Sequence, residues 1–129
     1  MTVSISLASF ISENFVALFE FYSSTFDLEE VESLRSDIFR GADAAGVTIG
    51  FSAPVVYEML NIAEWADAKG TKQYLTFECE SDDAVSATTA KAAANGAQVL
   101  HDPYVTYYGA FQSVLADPDG NVFRINHFR

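Results

Sequence analysis

The order of secondary-structure signals repeats along this chain, and that repeat limits the possible folds more than any single motif does. Residues 3–11 are rich in β-branched and apolar side chains and predict a strand. Ser12 or Asn14 can cap the helix that follows, where Phe15, Leu18, Phe19, Tyr22 and Phe26 recur at spacings of three and four. Extended segments over 30–36 and 37–42, a turn at GADAAG (41–46) and a strand over 47–53 complete the first half. After a pattern-free stretch the order returns. A strand over 73–80 leads to Asp82 or Asp83, which opens an alanine-rich helix over 84–95 stopped by Asn95-Gly96. Extended segments then cover 98–107, 110–116 and 122–128. A fold duplication is the economical account.

The predicted fold is therefore α+β, with one βαβββ module over 1–56 and a second over 72–129. Residues 57–71 form the linker, in which YEMLNIAEWADA (57–68) predicts a short helix. Each sheet covers one face with its helix and leaves the other open, so pairing two modules encloses a cleft. Strand alternation sends Ile49, Phe51, Leu75, Phe77, Cys79, Phe123 and Ile125 toward the helices. It sends Thr48, Gly50, Ser52, Tyr74, Thr76, Glu78, Val122, Arg124 and Asn126 toward the cleft. The segment DPYVTYYGAFQ (102–112) borders the opening, with Tyr104 and Tyr108 on one face and Tyr107 on the other.

Charge narrows the partners. Seven basic residues against eighteen acidic ones give a net charge of −11, which disfavours nucleic acid and anionic membrane surfaces and favours a cationic or neutral ligand. No run of about 18 apolar residues is present and Met1-Thr2-Val3-Ser4 lacks a basic leader, so a cytoplasmic protein is expected. Cys79 is the single cysteine, placed on a helix-facing position as an inert thiol. No Ser-His-Asp or Cys-His set can be assembled, and no glycine loop suits a phosphate. His101 and His127 lack the spacing of a metal-ligand pair.

Three marks together carry a resemblance: DPDGN (117–121) before the final strand, FEFY (19–22) in the first helix, and the doubled module. With them the chain resembles the vicinal oxygen chelate superfamily, which includes glyoxalase I, extradiol dioxygenases and bleomycin-resistance proteins. Enzymes of that family hold a divalent metal through His, Glu or Gln on four strands. The matching positions here fall near Leu7 and Gly50 and at Tyr74 and Arg124. Leucine and glycine cannot ligate, and arginine is a permanent cation with no acceptor. No metal and no cofactor is therefore expected.

The run EWADAKGTKQYLTFECES (64–81), followed by DPYVTYYGAF (102–111), is similar to the antibiotic-sequestering branch, in particular the mitomycin-binding type. The resemblance implies metal-independent binding of an aromatic small molecule by a homodimer in which a module of one chain faces a module of the other. Expected ligand contacts are Phe39, Tyr57, Trp65, Tyr74, Tyr104, Tyr108, Phe111 and Arg124. Trp65 can instead be a buried anchor of the linker, and Phe39 ordinary core. Arg124 has three readings: an ion pair with Glu78, a hydrogen bond to ligand, or exposure at a strand end. The alternative function is an enzyme that works without metal on a small carbonyl compound. A third is a partner module with a filled cleft, against which Gly50, Thr48, Ser52 and Thr76 argue by leaving room on its floor.

Overall fold

The doubled order is present in the computed structural model, which describes Thr2, residues 4–67 and residues 69–129. Val3 and Ala68, at the edges of two expected elements, lie outside the described residues. Contacts divide the chain into two units, Met1–Lys69 and Gly70–Arg129.

The first unit runs β1 (Leu7–Ile11), α1 (Phe15–Phe26), β2 (Glu29–Glu30), β3 (Phe39–Ala44) and β4 (Val47–Ser52). Its sheet has the order β1-β4-β3-β2, with β1 parallel to β4 and the other pairs antiparallel. Rings hold the sheet to the helix. Tyr22 is fully buried, with Phe10 at 5.2 Å and Phe51 at 5.7 Å between ring centroids. The apolar stripe read from α1 is therefore the core face, as its spacing requires.

Two boundaries differ from expectation. The stretch read as extended over 30–36 is interrupted by a 3-10 turn, Glu32–Leu34, and β2 is only two residues long. The expected turn at 41–46 shrinks to Ala45 and Gly46, whose φ angles of 54° and 98° suit a tight two-residue hairpin. Asp43 Oδ1 accepts from Gly46 N at 3.2 Å and closes it. Beyond β4 the chain forms α2 (Val56–Met59) and a second 3-10 turn (Ala63–Trp65). Asn61 at φ 60° breaks the single helix expected there.

The second unit runs β5 (Leu75–Glu78), α3 (Asp82–Ala94), β6 (Gln98–Val105), β7 (Phe111–Ala116) and β8 (Val122–His127), with sheet order β5-β8-β7-β6. The N-cap of α3 is Ser81 rather than an aspartate: its hydroxyl accepts from Ala84 N at 3.1 Å. Asp82 and Asp83 occupy the first turn, where the helix dipole favours acidic side chains. Asn95-Gly96 ends the helix as expected, with Gly96 at φ 106° and Ala97 N donating to Ala92 O at 3.0 Å. Val85, Thr89 and Ala92 turn inward, and Thr89 Oγ1 meets the buried Ser113 Oγ of β7 at 2.7 Å.

Before β8, the DPDGN turn is organised by one carboxylate. Asp117 is nearly buried, and its Oδ1 accepts from Asp119 N at 2.8 Å and Asn121 N at 2.9 Å. Gly120 takes φ 87°. This rigid turn sets the starting register of β8, on which the site depends.

Candidate functional site

On β8, Phe123 and Ile125 are fully buried on the α3 side. Val122, Arg124 and Asn126 therefore share the open face. In register, Thr76 of β5 and Val114 of β7 flank Arg124. Its Nε donates to Thr76 Oγ1 at 2.9 Å, and Nη1 donates to Gln112 Oε1 at 3.2 Å and reaches Tyr108 OH at 3.5 Å. The guanidinium carbon lies 4.8 Å from the centre of the Tyr74 ring, a cation–π distance.

Gln112 is the hub of this face. It is buried, accepts from Tyr108 OH at 2.8 Å and donates from Nε2 to Tyr104 OH at 3.4 Å. Tyr108 reaches it because it sits in the β6–β7 turn, not on a strand. Thr106 Oγ1 accepts from Ala110 N at 3.0 Å, and Gly109 takes φ 87°. Strand alternation therefore does not apply to Tyr107, which the turn leaves fully exposed.

The expected site residues separate. Tyr74, Tyr104, Tyr108 and Arg124 are brought together through Gln112, which sequence reasoning missed. Its signal was available: Gln112 alternates with Val114 on β7, so it shares Arg124's face. Phe111 is a correction. It pairs in register with His127 and lies one residue out of phase with Gln112, on the α3 side, where Arg129 covers its ring at 5.6 Å.

In the first unit, Phe39 lies on the open face of its sheet. A Cβ at Gly50 would stand 2.8 Å from the Phe39 ring, so the space expected over Gly50 is already filled by that ring. Tyr57 is half-buried in α2. Trp65 is 64% exposed, so it does not anchor its segment by burial.

Arg124 does not pair with Glu78. Glu78 Oε1 accepts from Asn126 Nδ2 at 2.8 Å and Oε2 from Phe128 N at 2.7 Å. Among the described residues Arg124 makes no ion pair.

The side chains do not fit a divalent metal. Of the positions carried over from the resemblance, Leu7 offers no donor, Gly50 lies under Phe39, and Tyr74 lies against the Arg124 cation. Among the described residues no three His, Cys, Asp or Glu side chains gather as a ligand group. His101 Nδ1 is 2.7 Å from Asp102 O and His127 Nδ1 is 2.9 Å from Cys79 O, both contacts to backbone carbonyls.

A doubled βαβββ chain with this strand order defines a glyoxalase-fold protein. Residues 8–125 match the Glyoxalase/Bleomycin resistance protein/Dioxygenase superfamily, and the chain belongs to it. A glyoxalase/bleomycin resistance protein/dioxygenase family enzyme from Burkholderia phytofirmans PsJN is 39% identical, with a TM-score of 0.95 over 97% of this chain and 98% of that one. The protein ATC0852 from Agrobacterium tumefaciens is 25% identical, with a TM-score of 0.78 over 99% of each chain. Lactoylglutathione lyase from Agrobacterium tumefaciens shares the fold at 18% identity, with a TM-score of 0.73 over 98% of this chain and 94% of that one. No curated protein matches the chain. Among the described residues no helix is long and apolar enough to cross a membrane.

Proposed function

We propose that the protein binds a planar aromatic small molecule without a metal, in the manner of the antibiotic-sequestering members of its superfamily. The observation that carries this reading is Arg124. It is held by Thr76 and Gln112 and lies against Tyr74, where the family resemblance would put a metal ligand. Rings of Tyr74, Tyr104 and Tyr108 border the same face and offer stacking area at low entropic cost. Affinity would come from apolar burial, and the Arg124–Gln112 network would set orientation. Pairing of two copies belongs to the same reading and is tested by sedimentation equilibrium.

A second reading is an enzyme acting on a carbonyl compound. It is favoured by the Tyr108 hydroxyl beside the Arg124 guanidinium, and the 39% identical relative from Burkholderia phytofirmans PsJN is itself described as an enzyme. One experiment separates the two. The protein is titrated in EDTA with mitomycin C, bleomycin and other planar antibiotics, and each compound's mass is measured after release. Saturable binding of an unchanged compound supports sequestration. A changed mass makes the protein an enzyme, and an absolute requirement for added metal overturns both readings.

A further inference from the structure

We infer that the ligand carries a carboxylate on its aromatic body and that Arg124 receives it, an inference that rests on the reading of this face as a binding face. The bulk charge points the other way, since a chain at −11 attracts cations. Short-range chemistry dominates here, because exposed charges farther away than about 8 Å are largely screened at physiological salt. At that range the face presents one guanidinium. The carboxylate nearest along the strands, Glu78, has each of its oxygens engaged, by Asn126 Nδ2 and by Phe128 N.

The donors of Arg124 can be accounted for one by one. Nε–H goes to Thr76 Oγ1, and Nη1 is shared between Gln112 Oε1 at 3.2 Å and Tyr108 OH at 3.5 Å. Nη2 meets no acceptor among the described residues. Its two N–H groups, with the loosely held Nη1, form a planar fork that matches two carboxylate oxygens. The fork is already oriented, because Thr76 fixes Nε and the Tyr74 ring lies against the guanidinium plane's carbon. The proton that Tyr108 now gives to Gln112 can turn to the incoming anion. A ligand ammonium at this point would meet a like charge, and a neutral amide would give up the charge-assisted pair.

Three isosteric probes test this: 2-naphthoate, 2-naphthamide and 2-naphthylmethylammonium, titrated by calorimetry and by NMR of the Arg124 Nε–H signal. The naphthoate should shift that signal saturably and bind roughly tenfold or more tighter than the amide, the scale of one hydrogen bond to a charged group. Arg124→Met should erase the preference. Arg124→Lys, which keeps the charge and loses the fork, should retain only part of it. If a variant fails to fold, the probe ranking and the Nε–H shift in the unaltered protein decide the matter. Amide or ammonium binding as tight as naphthoate, with the Arg124 signal moving, would overturn the carboxylate inference and leave the binding face standing. Naphthoate bound with no change at Arg124 would also overturn it. No shift from any probe, at Arg124 or at the three tyrosines, would remove the binding reading as well.

Discussion

Arg124 and Phe123 are chain neighbours that point to opposite faces of β8: the guanidinium carbon lies 4.8 Å from the Tyr74 ring centre, while Phe123 is fully buried. Mutations at the two positions should therefore separate cleanly. Phe123→Ala should cost about 3–5 kcal/mol through lost burial and a cavity. Arg124→Met should cost about 1 kcal/mol or less, since it removes a cation–π contact and hydrogen bonds on an open face. Urea unfolding of both variants checks this, and similar losses would place Arg124 in the core.

Asp117 should matter far more than Asp119, the other acidic residue of its turn. Asp117→Ala leaves Asp119 N and Asn121 N without their acceptor at the head of β8, with an expected loss of about 2–3 kcal/mol. Asp119→Ala, at an exposed position, should stay within about 0.5 kcal/mol. Thermal unfolding distinguishes them, and equal effects would show that the turn does not depend on the buried carboxylate.

Gly50 and Phe39 should be energetically coupled. A methyl group at Gly50 would sit 2.8 Å from the Phe39 ring and closer still to the Ser9 hydroxyl, so Gly50→Ala should cost on the order of 1 kcal/mol by displacing both. In a Phe39→Ala background only the part of that cost set by the ring should vanish, because the Ser9 hydroxyl still faces the added methyl. A double-mutant cycle by chemical denaturation measures the coupling, and strict additivity would mean that the ring does not rest on the glycine.

Cys79 should react slowly. Burial pushes its thiol above the ordinary range, with Glu78 and Glu80 adding to the shift against a contact to Thr88. A raised folded-state value means less thiolate at pH 8 than in the unfolded chain. Iodoacetamide alkylation followed by mass spectrometry should therefore be slower in native protein than in urea. By linkage, the stabilisation from a neutral buried thiol is present below the unfolded value and declines as pH rises through the folded one. Equal alkylation rates would contradict the burial.

Much of the architecture was legible because it is written in local periods. The stripe of α1, the alternation of β4, β5 and β8, and the DPDGN turn each follow from a few adjacent residues and hard steric rules. For the same reason Arg124, Tyr74 and Thr76 were assigned to one face correctly. Phe111 was grouped with the tyrosines although it lies one residue out of phase with Gln112, and one residue along a strand moves a side chain to the other face. Gln112 was passed over as an ordinary strand residue, since its importance lies in partners that only the hairpin brings near.

The sequence by itself determined the doubled module and the helix-facing cores, since local sterics and apolar spacing decide these. Only the tertiary structure decided which groups Arg124 touches. Glu78 is drawn to Asn126 Nδ2 and Phe128 N at the end of β8, and the β6–β7 turn delivers Tyr108 to Gln112. Such pairings depend on register between strands distant in sequence and on competition among nearby donors, neither of which a local pattern encodes.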